Sequence, residues 1–206
     1  MTPPCSRTAR AVLTGALLLG AVGTVTEASA AARRPVVKPV CNLVTDPTGD
    51  YDKTFAKPST DIVSADIAID AKALTWVVRT AGPITDTEPA RLGRQWLFRF
   101  TAVGKSHTFS VHSGAIGLRD QSNAGAKVSL DSTGRELRYT LTLAQFLAYA
   151  KVAITPGKSV LTGISAYLAV GVDYAMNQAQ VPNGGDSAAG KSSYLAGRAS
   201  CVKPGV

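Results

Sequence analysis

Apolar and polar residues alternate along most of the chain between residues 61 and 172. The run LTWVVRT at 74–80 places Leu74 and Trp76 on one side of an extended backbone. The run QWLFRFT at 95–101 places three aromatic residues on one side in the same way. Such runs, separated by segments rich in Gly and Asp, predict an all-β fold, an antiparallel, jelly-roll-like β-sandwich. The predicted strands cover 61–69, 74–80, 95–101, 106–112, 127–130, 137–143, 159–172 and 194–202, with turns at 70–72, 104–105 and 131–134.

Two segments depart from this alternation. Residues 143–152 (LAQFLAYAKV) place Leu143, Phe146 and Leu147 at helical spacing, which predicts one short helix across an end of the sandwich. Residues 173–191 are polar and rich in Gly and Ala, so we expect a surface loop there.

The first thirty residues have the order of a secretory signal peptide. Two arginines and no acidic residue precede an apolar run at 11–25, and Ala28-Ser29-Ala30 supplies the small residues of a cleavage site. The alternative is a membrane anchor, but ~15 apolar residues are fewer than the roughly 20 that span a bilayer. We therefore expect a signal peptide at 1–30, a basic, Pro-containing leader at 31–40 and a single domain at 41–206. The mature protein would be secreted, without a membrane span.

Charge argues against a nucleic-acid partner. The whole chain of 206 residues has a net charge of +8. Within 41–206, however, seventeen basic and thirteen acidic residues leave only +4, and the basic residues are scattered. Nucleic-acid binding needs a clustered basic footprint, so we expect none here.

Cysteine usage predicts one disulfide. Cys5 leaves with the signal peptide, so Cys41 and Cys201 remain near the two ends of the domain. In an oxidising compartment such a pair favours a disulfide over the alternative of two free thiols. The bridge would close a long loop and bring the first and last strands side by side.

Several short segments resemble a group of exported actinobacterial-type β-sandwich proteins. They are the acidic turn 46–50, the run DIVSAD at 61–66, the apolar positions at 74 and 77–78, and the ending YLAGRASC at 194–201. Their organisation is similar to the DOMON domains and to family 9 carbohydrate-binding modules. The resemblance implies a secreted, usually non-enzymatic sandwich. The haem-binding and sugar-binding residues of those families have no matching positions in this chain.

An acidic cluster raises the hypothesis of calcium. Calcium binds carboxylate and carbonyl oxygens on flexible loops, which suits the Pro- and Gly-containing segment that holds the cluster. Asx-type turns explain the same residues without a metal, so both interpretations stay open. The candidate ligands are Asp46, Asp50 and Asp52, with Asp61, Asp173 or Asp186 as distant ones.

Aromatic residues offer a second kind of candidate site. Trp76 and Trp96 could form a sugar-stacking platform, but their apolar neighbours on the same strand faces favour the core. Tyr51, Tyr174 and Tyr194, in or beside predicted loops, are the expected exposed aromatics and the candidate ligand-binding residues.

Patterns that would indicate an enzyme are weak. Residues 185–192 (GDSAAGKS) match the phosphate-loop pattern but lack a preceding strand pattern, so we interpret them as a chance match. His107 and His112 are five residues apart and should point to opposite faces of a strand. No G-x-S-x-G motif occurs. We expect a secreted, non-catalytic binding or interaction domain for an unknown extracellular ligand, and a carbohydrate-binding module, with calcium as a possible cofactor, is the alternative.

Overall fold

A computed structural model describes residues 38–50, 59, 61–84, 92–113, 117–173, 178–179 and 185–202. Residues 37–206 form one compact unit. The predicted signal peptide at 1–30 and residues 31–37 of the predicted leader lie outside the described residues. Within the described residues, no helix has the length and apolar character needed to cross a membrane.

Twelve strands and one helix make up the described part of the chain. In chain order they are β1 (Val44–Thr45), β2 (Ile62–Ile69), β3 (Ala73–Thr80), β4 (Leu92–Ala102), β5 (Lys105–Ser113), β6 (Arg119–Asp120), β7 (Lys127–Leu130), β8 (Glu136–Thr142), α1 (Leu143–Ala150), β9 (Val160–Asp173), β10 (Gln178–Ala179), β11 (Gly185–Ala189) and β12 (Tyr194–Leu195).

These strands form two packed antiparallel sheets, as the alternating pattern predicted. The five-stranded sheet has the order β1-β2-β3-β8-β7. The seven-stranded sheet has the order β10-β9-β4-β5-β6, and β11 and β12 also pair with β9. The long strand β9 therefore lies in the interior of its sheet, between β4 and the short strands β10, β11 and β12, as the apolar run at 159–172 predicted.

The core lies between the inward faces of the two sheets. Trp76 of β3 and Trp96 of β4 are 1% and 0% exposed, so the core interpretation of both tryptophans is confirmed. The ring centroid of Trp76 lies 5.2 Å from that of Phe98 across the interface between the sheets. Alternation of large apolar residues thus places one aromatic layer against another, and burial of such rings is a major source of stability.

The predicted short helix is present as α1. Thr142 caps its N-terminus, since its hydroxyl accepts from the Gln145 amide and the Gln145 side chain accepts from the Thr142 amide. Phe146 is fully buried in the core. The helix ends at Ala150, two residues earlier than predicted, because Lys151 adopts a left-handed conformation (φ 56°) that stops helical hydrogen bonding.

Two local predictions were wrong. The β4–β5 turn is formed by Val103 and Gly104, both at positive φ, one residue before the predicted pair. The predicted surface loop at 173–191 contains β10 and β11, and β11 pairs with β9 over its whole length. The residues of β11 are too small to give a pattern of alternating apolar side chains. The segment is extended because the edge of β9 offers it backbone hydrogen bonds.

The chain ends are joined as predicted by a Cys41–Cys201 disulfide, with the Cα atoms 5.1 Å apart. The first and last strands, however, belong to different sheets, and the last predicted strand is reduced to β12. The segments outside those strands meet instead. Val40 and Ser200 form a parallel bridge beside the disulfide, so the clasp is made by terminal loops.

Candidate functional site

Three aspartates from distant parts of the chain converge at one edge of the sandwich. Asp46 and Asp50 follow β1, whereas Asp186 belongs to β11. One carboxylate oxygen from each lies within 4.8 Å of the others. The structure thus brings two of the three predicted cluster residues together with one predicted distant ligand. Asp52 lies outside the described residues.

Asp61, another predicted distant ligand, lies beside this group at the start of β2. Its Oδ2 accepts a hydrogen bond of 2.9 Å from the Gly49 amide. Gly49 has a φ of +91°, a conformation that suits glycine and turns the loop back toward Asp61. The loop between Asp46 and Asp50 is therefore folded over the Asp61 carboxylate.

Asp186 links the two sheets directly. It lies on β11 in the seven-stranded sheet, and its Oδ2 accepts a hydrogen bond of 2.5 Å from the amide of Ile62 in the five-stranded sheet. Its Oδ1 accepts from the Ser187 amide at 2.8 Å. These two bonds fix the carboxylate beside Asp46.

The sandwich is tightly closed at the edge that contains these residues. We call this edge the seam and define it by Leu43, Asp46, Asp50, Asp61, Ile62, Asp186 and Gly190. A Cβ atom on Gly190 would lie 2.4 Å from the carbonyl oxygen of Leu43. Only glycine permits this approach between the segment after β11 and the segment before β1. The acidic cluster lies at a junction between the sheets, where the exposed turn that contains Asp50 meets the buried Asp186.

The cluster concentrates negative charge. Burial, with the charges of Asp186, Asp50 and Asp61 and a hydrogen bond with Asp186, raises the pKa of Asp46 to about 7. Burial also raises the pKa of Asp186, against the lowering effect of its two backbone donors. Chemically, such an arrangement favours a bound proton or a bound cation.

The phosphate-loop pattern does not form a phosphate loop. Residues Gly185–Ala189 are strand β11, and the following Lys191 is exposed and does not begin a helix. A phosphate loop requires backbone amides at a helix N-terminus. The chance-match interpretation therefore agrees with the geometry.

The two histidines lie apart, as their odd spacing predicts. His107 faces the core, where its ring packs against Phe100 and Phe146 with centroids 5.5 and 5.2 Å away. His112 faces the other side of β5, close to Gly93. Burial lowers the pKa of both imidazoles, which are therefore neutral at physiological pH.

The prediction that Tyr194 is an exposed ligand-binding residue is wrong. Tyr194 is 1% exposed. Its hydroxyl accepts from the Ile69 amide at 3.2 Å and donates to the Arg198 carbonyl at 2.8 Å. Its ring completes the core where β12 meets β2, so its role is structural. Tyr51 and Tyr174, the other predicted candidates, lie outside the described residues.

Sequence reasoning missed a partly exposed tyrosine on the outer face of the seven-stranded sheet. Tyr167 alternates with the buried Ala166 and Leu168 on β9 and pairs directly with Leu97 of β4. Gln95 lies two residues before Leu97 on β4 and so on the same face, and its side chain donates to the Gln121 side chain at 2.8 Å. We call the surface formed by Gln95, Leu97, Arg99, Gln121 and Tyr167 the Tyr167 face. The alternation of β9 contained this signal, because a tyrosine between two core positions must point outward.

Two surface cavities lie elsewhere. One of about 230 Å³ is lined by residues of the β2 end and the C-terminal segment, among them Asp70 and Arg198. The other, of about 250 Å³, lies beside β1 and includes Asn42 and Lys191. Neither contains an aspartate of the cluster or a residue of the Tyr167 face.

Comparisons with known proteins identify no relative. No family model matches the chain, and no match is found among curated proteins or among solved structures. The resemblance to DOMON and family 9 carbohydrate-binding domains thus stays a prediction.

Proposed function

We propose that this chain is a secreted, non-catalytic binding domain that holds its ligand on the Tyr167 face. The observation that carries the proposal is the composition of this face on a rigid sheet. A partly exposed aromatic ring and the Leu97 side chain lie beside paired amides and the exposed guanidinium of Arg99. Such a mixture of apolar surface and fixed polar groups suits a binding platform.

Secretion is supported by the signal-peptide pattern and agrees with the disulfide, which forms and persists in oxidising compartments. The sandwich architecture suits a stable platform outside the cell, because its two sheets share a large aromatic core and its chain ends are covalently joined.

Carbohydrate is the second candidate for the ligand class, and the side chains of the Tyr167 face support it. Aromatic rings pack against the apolar faces of sugars. The side chains of Gln95, Gln121 and Arg99 carry N–H donors of the kind that bind sugar hydroxyl groups. The tryptophans cannot take this role, since both are buried in the core.

A glycan array with the purified secreted protein tests the carbohydrate version. We expect binding to at least one glycan class, with a loss of about tenfold or more in Tyr167→Ala. Tyr149→Ala is the matched control, because Tyr149 is 41% exposed on α1 and outside the Tyr167 face. A uniformly negative array would end the carbohydrate version. A ligand of any class that binds wild type and Tyr167→Ala equally would end the assignment of this face.

A further inference from the structure

We propose that Asp46, Asp50, Asp61 and Asp186 bind a calcium ion that clamps the two sheets together at the seam. The ligand atoms of three of these residues already lie within 4.8 Å of one another, and the fourth carboxylate is held against the same loop. The site is independent of the Tyr167 face and has its own test.

Unpartnered buried oxygens, a feature separate from the clustering of acids, point to a cation as their ligand. Asp61 is 1% exposed, and its Oδ1 has no hydrogen-bond partner among the described residues. Oδ2 of Asp46 is likewise buried and without a partner there. Buried polar atoms are nearly always satisfied, because leaving one unpaired is costly. A cation bound at the cluster would give Oδ2 of Asp46 a partner, and the Asp61 carboxylate lies against the same loop through its bond with Gly49.

The donor set selects calcium among the common metal ions. Every candidate ligand is a carboxylate oxygen, which hard cations prefer, whereas zinc and copper favour imidazole and thiolate. The two histidines lie on β5, which β4 and β9 separate from β11. Both domain cysteines are in the disulfide. Ligands drawn from a loop and from two separate strand regions suit the variable geometry of calcium better than the strict octahedron of magnesium.

The position of the site determines what the ion would do. Asp186 extends from one sheet and accepts from the Ile62 amide of the other, and Asp46 and Asp50 belong to the loop that leaves β1. An ion bound to all of them would neutralise their repulsion and tie three segments together. Calcium would thereby hold β11 against β2, the junction that the disulfide, at the chain ends, leaves unlinked.

Titration calorimetry on the secreted protein, freed of metal by EDTA and with its disulfide intact, tests the proposal. We expect calcium to bind with a 1:1 stoichiometry and to raise the melting temperature, and magnesium to bind at least about tenfold more weakly. Asp50→Asn should weaken calcium binding by about tenfold or more, and Asp186→Asn should abolish it.

Two features make the test decisive. Asp50 is exposed, so Asp50→Asn keeps the fold even where Asp186→Asn unfolds. Asp131→Asn, which changes an exposed aspartate in the β7–β8 turn, is the control and should bind calcium like wild type. The proposal is overturned by the absence of calcium heat and of a thermal shift in wild type. It is equally overturned by unchanged affinity in Asp50→Asn, or by magnesium binding as tight as calcium.

Discussion

Replacing the two domain cysteines by serine should remove a large fraction of the stability of this protein. The disulfide spans 160 residues of sequence. In the chain-entropy description, a cross-link closing a loop of that length destabilises the unfolded state by about 5 kcal/mol. A domain of this size has a total unfolding free energy of roughly 5–15 kcal/mol. The Cys41→Ser/Cys201→Ser double variant should therefore be folded only marginally.

Two backbone hydrogen bonds accompany the disulfide at the chain ends. Beside the disulfide, the Val40 amide donates to the Ala199 carbonyl at 2.8 Å, and the Cys201 amide donates to the Val40 carbonyl at 3.0 Å. Without the covalent link the chain ends are held only by noncovalent contacts such as these two bonds, and terminal segments fray readily. We expect the ends to detach before the sheets separate.

Guanidinium unfolding measures the effect. Wild type in reducing agent should behave like the double variant, and the double variant should be insensitive to reducing agent, which makes it its own control. The reasoning is refuted if the double variant loses less than about 1 kcal/mol, since the loop-closure cost would then be absent from the unfolded state.

Two further predictions concern the seam. In metal-free protein, the pKa of Asp46 is about 7 in the fold against an ordinary value of 3.8. The folded state therefore holds the proton more tightly, and the unfolding free energy should fall as pH rises from about 4 through about 7. Urea unfolding across this range should show a shallower decline in Asp46→Asn, and an equally steep decline would contradict the assignment. Gly190→Ala should cost about 1–3 kcal/mol, because its Cβ would meet the Leu43 carbonyl, and the exposed neighbour Ser192→Ala should cost less than about 0.5 kcal/mol. Thermal unfolding of both variants checks this, and equal melting temperatures would mean that the seam opens without cost.

The main strands were predictable because their signal is local. In β3 and β4 the buried tryptophans alternate with smaller or polar residues, and every second side chain of a strand points to the same face of the sheet. The bounds of β3 differ from the prediction by one residue. The helix was predictable for a similar reason, since Phe146 and its neighbours repeat at 3.6-residue spacing and Thr142 supplies a capping side chain.

Strand β11 could not be predicted in this way. Its sequence, GDSAA, has no large apolar residue and low intrinsic strand preference. It is extended because the backbone of β9 pairs with it from Ala169 to Ser165. Tyr194 could not be predicted for a different reason. Its position beside a turn suggested an exposed side chain, but its hydroxyl is hydrogen-bonded inside the protein to two backbone groups.

The sequence by itself determined the sandwich class, the aromatic core and the pairing of Cys41 with Cys201, because alternation and cysteine number are properties of neighbouring residues and of composition. Only the tertiary structure decided that Asp186 lies with Asp46 and Asp50. The hydrogen bond that fixes Asp186 joins residues 124 positions apart. No local period encodes such a distance, since it depends on how the two sheets close along the seam.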